Sequence, residues 1–119
     1  MKGYLNVDRY EDSISICFYI EQEKPFSIGE KMNEICEDAY MNGYNWEAFF
    51  NYYLEKEAPE LLDDLYTDPE AGMYAAYYDF SAENEKKAEK FAALIEDLIE
   101  NEDKIYRILR ENGDEIEWD

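Results

Sequence analysis

Between Ser13 and Ile20 apolar and polar side chains alternate: Ile14, Ile16, Phe18 and Ile20 fall on one face, Ser13, Ser15, Cys17 and Tyr19 on the other. A period of two predicts a strand with one buried face. Tyr4 to Tyr10 supplies a hairpin partner, turning near Glu11-Asp12 with Leu5 and Val7 inward. Met73 to Phe80 predicts a further strand, in which Tyr74, Ala76 and Tyr78 share one face and Ala75 and Tyr77 the other. Tyrosine is a natural strand residue, so these side chains read as structural.

Elsewhere the period becomes helical. After Pro25-Phe26, Ser27 and Glu30 have the spacing of a capping box, and Ile28, Met32, Ile35, Cys36, Ala39 and Tyr40 recur at helical intervals. This predicts a helix ending near Asn42-Gly43, where glycine can take the left-handed cap conformation. Asn45 is then placed to cap a second helix with Trp46, Phe49, Phe50, Tyr53 and Leu54 on its apolar face and Pro59 as its stop. Trp46 reads as core. Asp68-Pro69 fits the first two positions of a type I turn, with Gly72 closing the stretch where a positive backbone angle would call for glycine. Ser81 begins a third helix carrying Ala88, Phe91, Ala92, Ile95, Leu98 and Ile99, and Ile105, Ile108 and Leu109 continue the pattern. Residues 112–119 form a short strand or a loose tail. Strands and helices come in separate runs, so the expected class is α+β: a small antiparallel sheet packed against three or four helices, one domain over residues 1–119.

Composition narrows the function. An apolar share of 46% supports a real core, so the negative mean hydropathy describes a charged surface rather than disorder. No stretch approaches the roughly 20 apolar residues of a membrane helix, and Met1-Lys2-Gly3-Tyr4 lacks the marks of a secretory signal, so the expected compartment is the cytoplasm. Cys17, in the first long strand, and Cys36, in the first helix, fit neither a disulfide framework nor a zinc motif and read as small buried thiols. The net charge is −20, and residues 32–85 carry fourteen acids against Lys56 alone. Such a field repels nucleic acid and anionic membranes and draws in a basic partner.

The chain has no histidine, which removes the commonest general base, the Ser/His and Cys/His nucleophile pairs and the imidazole metal ligands. Its five glycines are scattered and build no phosphate cradle. Paired carboxylates for glycoside hydrolysis carry no signal among 31 acids, because any spacing then arises by chance. Asp63, Asp64, Asp68 and Glu70 offer oxygen ligands but lack the order of a calcium loop. We therefore expect no catalytic residue, no metal and no cofactor.

The words Asn42-Gly43-Tyr44-Asn45-Trp46, Leu54-Glu55, Pro59-Glu60-Leu61 and Asp68-Pro69-Glu70-Ala71-Gly72-Met73-Tyr74 resemble, in order and spacing, the bacterial immunity protein 51 family. The likeness is clearest over residues 42–78. It implies a cytoplasmic antidote encoded beside a polymorphic or contact-dependent toxin, whose C-terminal domain, often a basic nuclease, it binds and occludes. The two main words read as a helix corner and a turn, hence as fold-defining. For the contact we single out Asp63, Asp64, Asp68 and Glu70 as steering charges and Tyr44 and Tyr66 as aromatic anchors. An acidic adaptor or nucleic-acid mimic, tolerant of many basic partners, is the competing reading, and a carboxylate-only hydrolase is the third.

Overall fold

A computed structural model describes residues 2–119. The first two strands, β1 (Leu5–Arg9) and β2 (Ser13–Phe18), form the expected hairpin, with Leu5 opposite Phe18 and Val7 opposite Ile16. β2 pairs on its other side with β4 (Tyr74–Asp79), so that Ile14, Ile16 and Phe18 share a face with Tyr78, Ala76 and Tyr74. Every one of these six side chains is buried. A strand of two residues, β3 (Tyr66–Thr67), completes an antiparallel sheet of order β1-β2-β4-β3.

Four helices, α1 (Glu23–Ile35), α2 (Gly43–Glu57), α3 (Ala82–Glu100) and α4 (Asp103–Asn112), build the second layer. The architecture is α+β, as the separate runs of strand and helix predicted. The interior between the layers is aromatic. Phe50 lies 4.9 Å from Tyr74 and 5.7 Å from Phe18, centroid to centroid, and meets Trp46 and Phe91 as well. Ser81 starts α3 as expected, its hydroxyl accepting from the Asn84 amide.

Helix boundaries depart from the sequence expectation at two places. α1 begins before Pro25, so Ser27 and Glu30 lie inside it and form no capping box. Proline is tolerated in the first turn because no intrahelical partner awaits its missing N–H there. α1 ends at Ile35; Cys36 is its extended cap, and Ala39 and Tyr40 belong to a loop rather than to the helix. Glu34, Glu37 and Asp38 crowd this C-terminal end, where the helix dipole disfavours negative charge. Ala39 is nonetheless buried, whereas Tyr40 is 71% exposed. Both cysteines are half-buried rather than buried.

The cap of α2 is Asn42, not Asn45: its side-chain oxygen accepts from the Asn45 amide at 2.9 Å. Gly43 is therefore the first helical residue, and no glycine in the described chain has a positive φ. Glycine is needed here for space instead. A Cβ at position 43 would stand 1.9 Å from the Glu70 carbonyl oxygen and 2.3 Å from that of Met73. Residues 70–73 form the tight turn between β3 and β4, with Glu70 and Met73 exchanging backbone hydrogen bonds. The turn thus lies two residues beyond the expected Asp68-Pro69, and the Gly43 amide donates to Ala71 at 3.1 Å. The two recurring words are the halves of one joint.

Asn45, freed from capping, is 3% exposed and ties three segments together. Its amide nitrogen donates to the Tyr40 carbonyl at 2.7 Å, and its oxygen accepts from the Asp119 amide at 2.6 Å. The last residues are accordingly neither a strand nor loose: a short 3-10 turn (Gly113–Glu115) leads to buried Ile116, and the Trp118 indole donates to Gly113.

Candidate binding surfaces

α2 and α3 pack directly on one face of the sheet, α1 and α4 pack together on the helical side with α1 also touching α3, and the other face of the sheet is left open. On the open face Asp8, Ser15, Tyr77 and Tyr66 form one row across the four strands. Tyr66 and Tyr77 stack at 5.2 Å with their rings 17° apart, and both remain partly exposed. A two-residue strand has little backbone pairing to hold it, so this stack is a large share of what fixes β3. Cys17 lies on the same face, and burial, reinforced by the Asp8 charge, pushes its thiol pKa up.

The sequence-selected acids lie along the β3 edge. Asp63 follows the 3-10 turn Pro59–Leu62 that Pro59 opens where it stops α2. Asp64 takes φ of 62°, a left-handed conformation that aspartate accepts more readily than most residues. Asp68 continues β3, its amide donating to Ala75, and Glu70 enters the joint with Gly43. None of the four acids forms an ion pair among the described residues; Lys87 reaches only the Asp63 carbonyl oxygen. The ion pairs lie elsewhere. Arg9 bridges to Glu85 and Glu89 on α3, and Lys24 and Lys2 reach Glu100, whose carboxyl is held below its ordinary pKa chiefly by the Tyr4 hydroxyl.

Tyr44 is separate from that edge. It lines a groove of about 350 Å³ between α2 and the C-terminal residues, whose walls also carry Glu47, Glu55, Glu115, Glu117 and Asp119. The structure therefore gathers Asp63, Asp64, Tyr66, Asp68 and Glu70 on one edge and puts Tyr44 in a different acidic surface.

A third surface escaped the sequence reading. A groove of about 510 Å³ runs between α1, the loop before α2 and the turn at residues 70–73. Its floor includes buried Ile20, Pro25 and Trp46, while Phe26 and Tyr40 in its lining are 55% and 71% exposed. Gly29 narrows the packing distance there, since a Cβ on it would meet Met41 at 3.0 Å. The one available signal was that Phe26 is a large aromatic off the apolar stripe of its helix.

A family profile described as Immunity protein 51 matches residues 5–114, from the first residue of β1 to the turn after α4. The chain belongs to the Immunity protein 51 family. No curated protein matches it significantly, and no solved structure does either. Within this immunity family member, the match takes in the joint of Gly43 with residues 70–73, the β3 edge and the whole lining of the larger groove. No helix of the described chain is long and apolar enough to cross a membrane.

Proposed function

We propose that this immunity protein is the cytoplasmic antidote to a cognate toxin domain of a polymorphic or contact-dependent system. It binds that domain and covers its active site or substrate groove, without turnover of its own. Family membership over residues 5–114 is the observation that carries this reading. The charge supports a basic toxin, a nuclease among the chemistries it fits. Residues 57–85 contain no lysine or arginine, neither of the two grooves is lined by one, and Lys87 meets the β3 edge only at the Asp63 carbonyl oxygen. Asp63, Asp64, Asp68 and Glu70 set the approach of such a partner, since summed charge acts at long range, and Tyr66 and Tyr44 serve as anchors that set its residence.

The test uses the toxin-like C-terminal domain encoded by the neighbouring reading frame. Co-expression should restore growth to cells producing that domain. In stopped-flow measurements, Asp63→Asn, Asp64→Asn, Asp68→Asn and Glu70→Gln combined should slow association about tenfold at low salt and change dissociation less. A variant that associates as fast as wild type, with the same salt dependence, removes these acids from the steering role. Equal binding to unrelated basic proteins would replace the specific antidote with a general acidic adaptor.

A further inference from the structure

The larger groove combines features that rarely coincide on a free surface. Its floor is apolar and buried, two large aromatic side chains in its lining stand more than half exposed, and two carboxylates, Glu21 and Glu30, complete the wall. Glu21 is held against the joint, where a Cβ on Gly72 would meet its Oε1 at 2.9 Å. Neither carboxylate has a basic partner among the described residues, and no lysine or arginine lines the groove. The wall formed by Ala71 and Gly72 belongs to the turn that Glu70, the last acid of the β3 edge, opens.

We propose that this groove receives a single arginine or lysine side chain of the toxin. The inference rests on the antidote reading and names what that antidote grips. The groove asks for an occupant with a long apolar stem and a cationic head. Lysine and arginine are the two side chains so built, burying the stem while the head stays at a polar rim. Phe26 and Tyr40 supply exposed aromatic rings for a cation, and Glu21 and Glu30 supply the opposite charge. An acidic or anionic occupant would meet repulsion, and a purely apolar one would leave the two carboxylates of the wall unused. Arginine is also among the residues that most often dominate interface energies, in central pockets of this kind.

Two measurements test it. Isotope-labelled protein is titrated with N-acetyl-arginine amide and, separately, with N-acetyl-norleucine amide, which keeps an apolar stem and lacks the charge. Arginine amide should shift the backbone amides of Phe26, Tyr40 and Gly72 in a saturable way, and Glu21→Gln with Glu30→Gln should abolish the response. Equal shifts from norleucine amide, or arginine shifts that spare the groove, overturn the inference. In the second measurement, Phe26→Ser with Tyr40→Ser, two positions more than half exposed, should weaken binding of the neighbouring-frame toxin domain about tenfold, mostly through faster dissociation, with the variant's melting temperature recorded alongside to show that the fold is kept. If wild type and variant neutralise that domain alike, the groove is not the grip, while the antidote reading stands. If wild type fails to neutralise it, the antidote reading falls and takes the toxin as occupant with it.

Discussion

Tyr74 and Tyr78 sit four residues apart on the same face of β4, point into the same core and are both fully buried, yet their hydroxyls have opposite circumstances. The Tyr78 hydroxyl donates to the Leu61 carbonyl, and the Tyr74 hydroxyl has no partner among the described residues. Removing the same oxygen atom should therefore move stability in opposite directions. An unpaired buried hydroxyl costs about 1–3 kcal/mol, so Tyr74→Phe recovers part of that and loses a few tenths in dispersion where the oxygen was. We expect a net gain of about 1 kcal/mol. Tyr78→Phe loses a hydrogen bond and strips the Leu61 carbonyl of its side-chain donor, for a loss of about 2 kcal/mol. The pair should differ by about 3 kcal/mol, or roughly 12 °C in melting temperature for a chain this long. Equilibrium urea unfolding followed by tryptophan fluorescence reads both, because Trp46 is buried in the same aromatic cluster. A destabilised Tyr74→Phe with an unchanged urea slope would refute the reasoning, by showing that the hydroxyl has a partner such as a buried water.

Burial also holds the Tyr74 and Tyr78 phenols well above their ordinary pKa. The unfolded chain therefore loses these protons first, and the contribution of these phenols to stability should be level below about pH 10 and fall above it by about 1.4 kcal/mol per pH unit for each. Urea midpoints that stay constant to about pH 11.5 would contradict this, and Tyr74→Phe should remove one phenol's share. Gly43→Ala should cost about 3 kcal/mol or more, since its Cβ meets backbone carbonyls that cannot swing aside, whereas Gly72→Ala meets only the end of the Glu21 side chain and should change stability by about 0.5 kcal/mol or less. Similar melting temperatures for the two variants would show the joint to be loose. Asn45→Ala should cost about 2–3 kcal/mol and speed hydrogen exchange at Trp118 and Asp119, while Asn42→Ala, which removes only a cap, should cost about 1 kcal/mol. The reverse order of costs would return the capping role to Asn45.

The strands were legible because one buried face imposes a strict period of two, and Ile14, Ile16 and Phe18 obey it as cleanly as Tyr74, Ala76 and Tyr78. Ser81 was legible because nothing competes with it for the cap of α3. Asn42 and Asn45 did compete. Local propensity favours either, and the decision is tertiary: the turn at residues 70–73 demands a glycine beside it, which puts Gly43 in the first turn and Asn42 at the cap. β3 was not legible, since two residues carry no period. The acidic edge could be read from charge density alone, but the larger groove draws its lining from residues 20–33, 40–46 and 71–72, segments that only the fold brings together. Tyr40 was absorbed into an apolar stripe that ends before it.

The placement of the basic residues has a mechanical consequence. All eleven lie within residues 2–31, at Lys56 or within residues 86–110, and the bridges they make involve Lys2, β1, α1, α3, α4 and, through Lys90, Glu60 of the 3-10 turn. The four acids of the β3 edge from Asp63 to Glu70 have no such neutralising partner among the described residues, and neither have the acids of the groove that Tyr44 lines, so unneutralised charge is concentrated on these surfaces. An anion whose bridges lie on part of its surface presents an uneven field, and an uneven field lets a cationic body exert a torque as well as a pull. On the proposal that the β3 edge meets a basic toxin, rotation would come before contact: the edge would turn forward while still separated by about a Debye length, ~8 Å in physiological salt, which would shorten the angular search that otherwise limits how fast two particular patches meet.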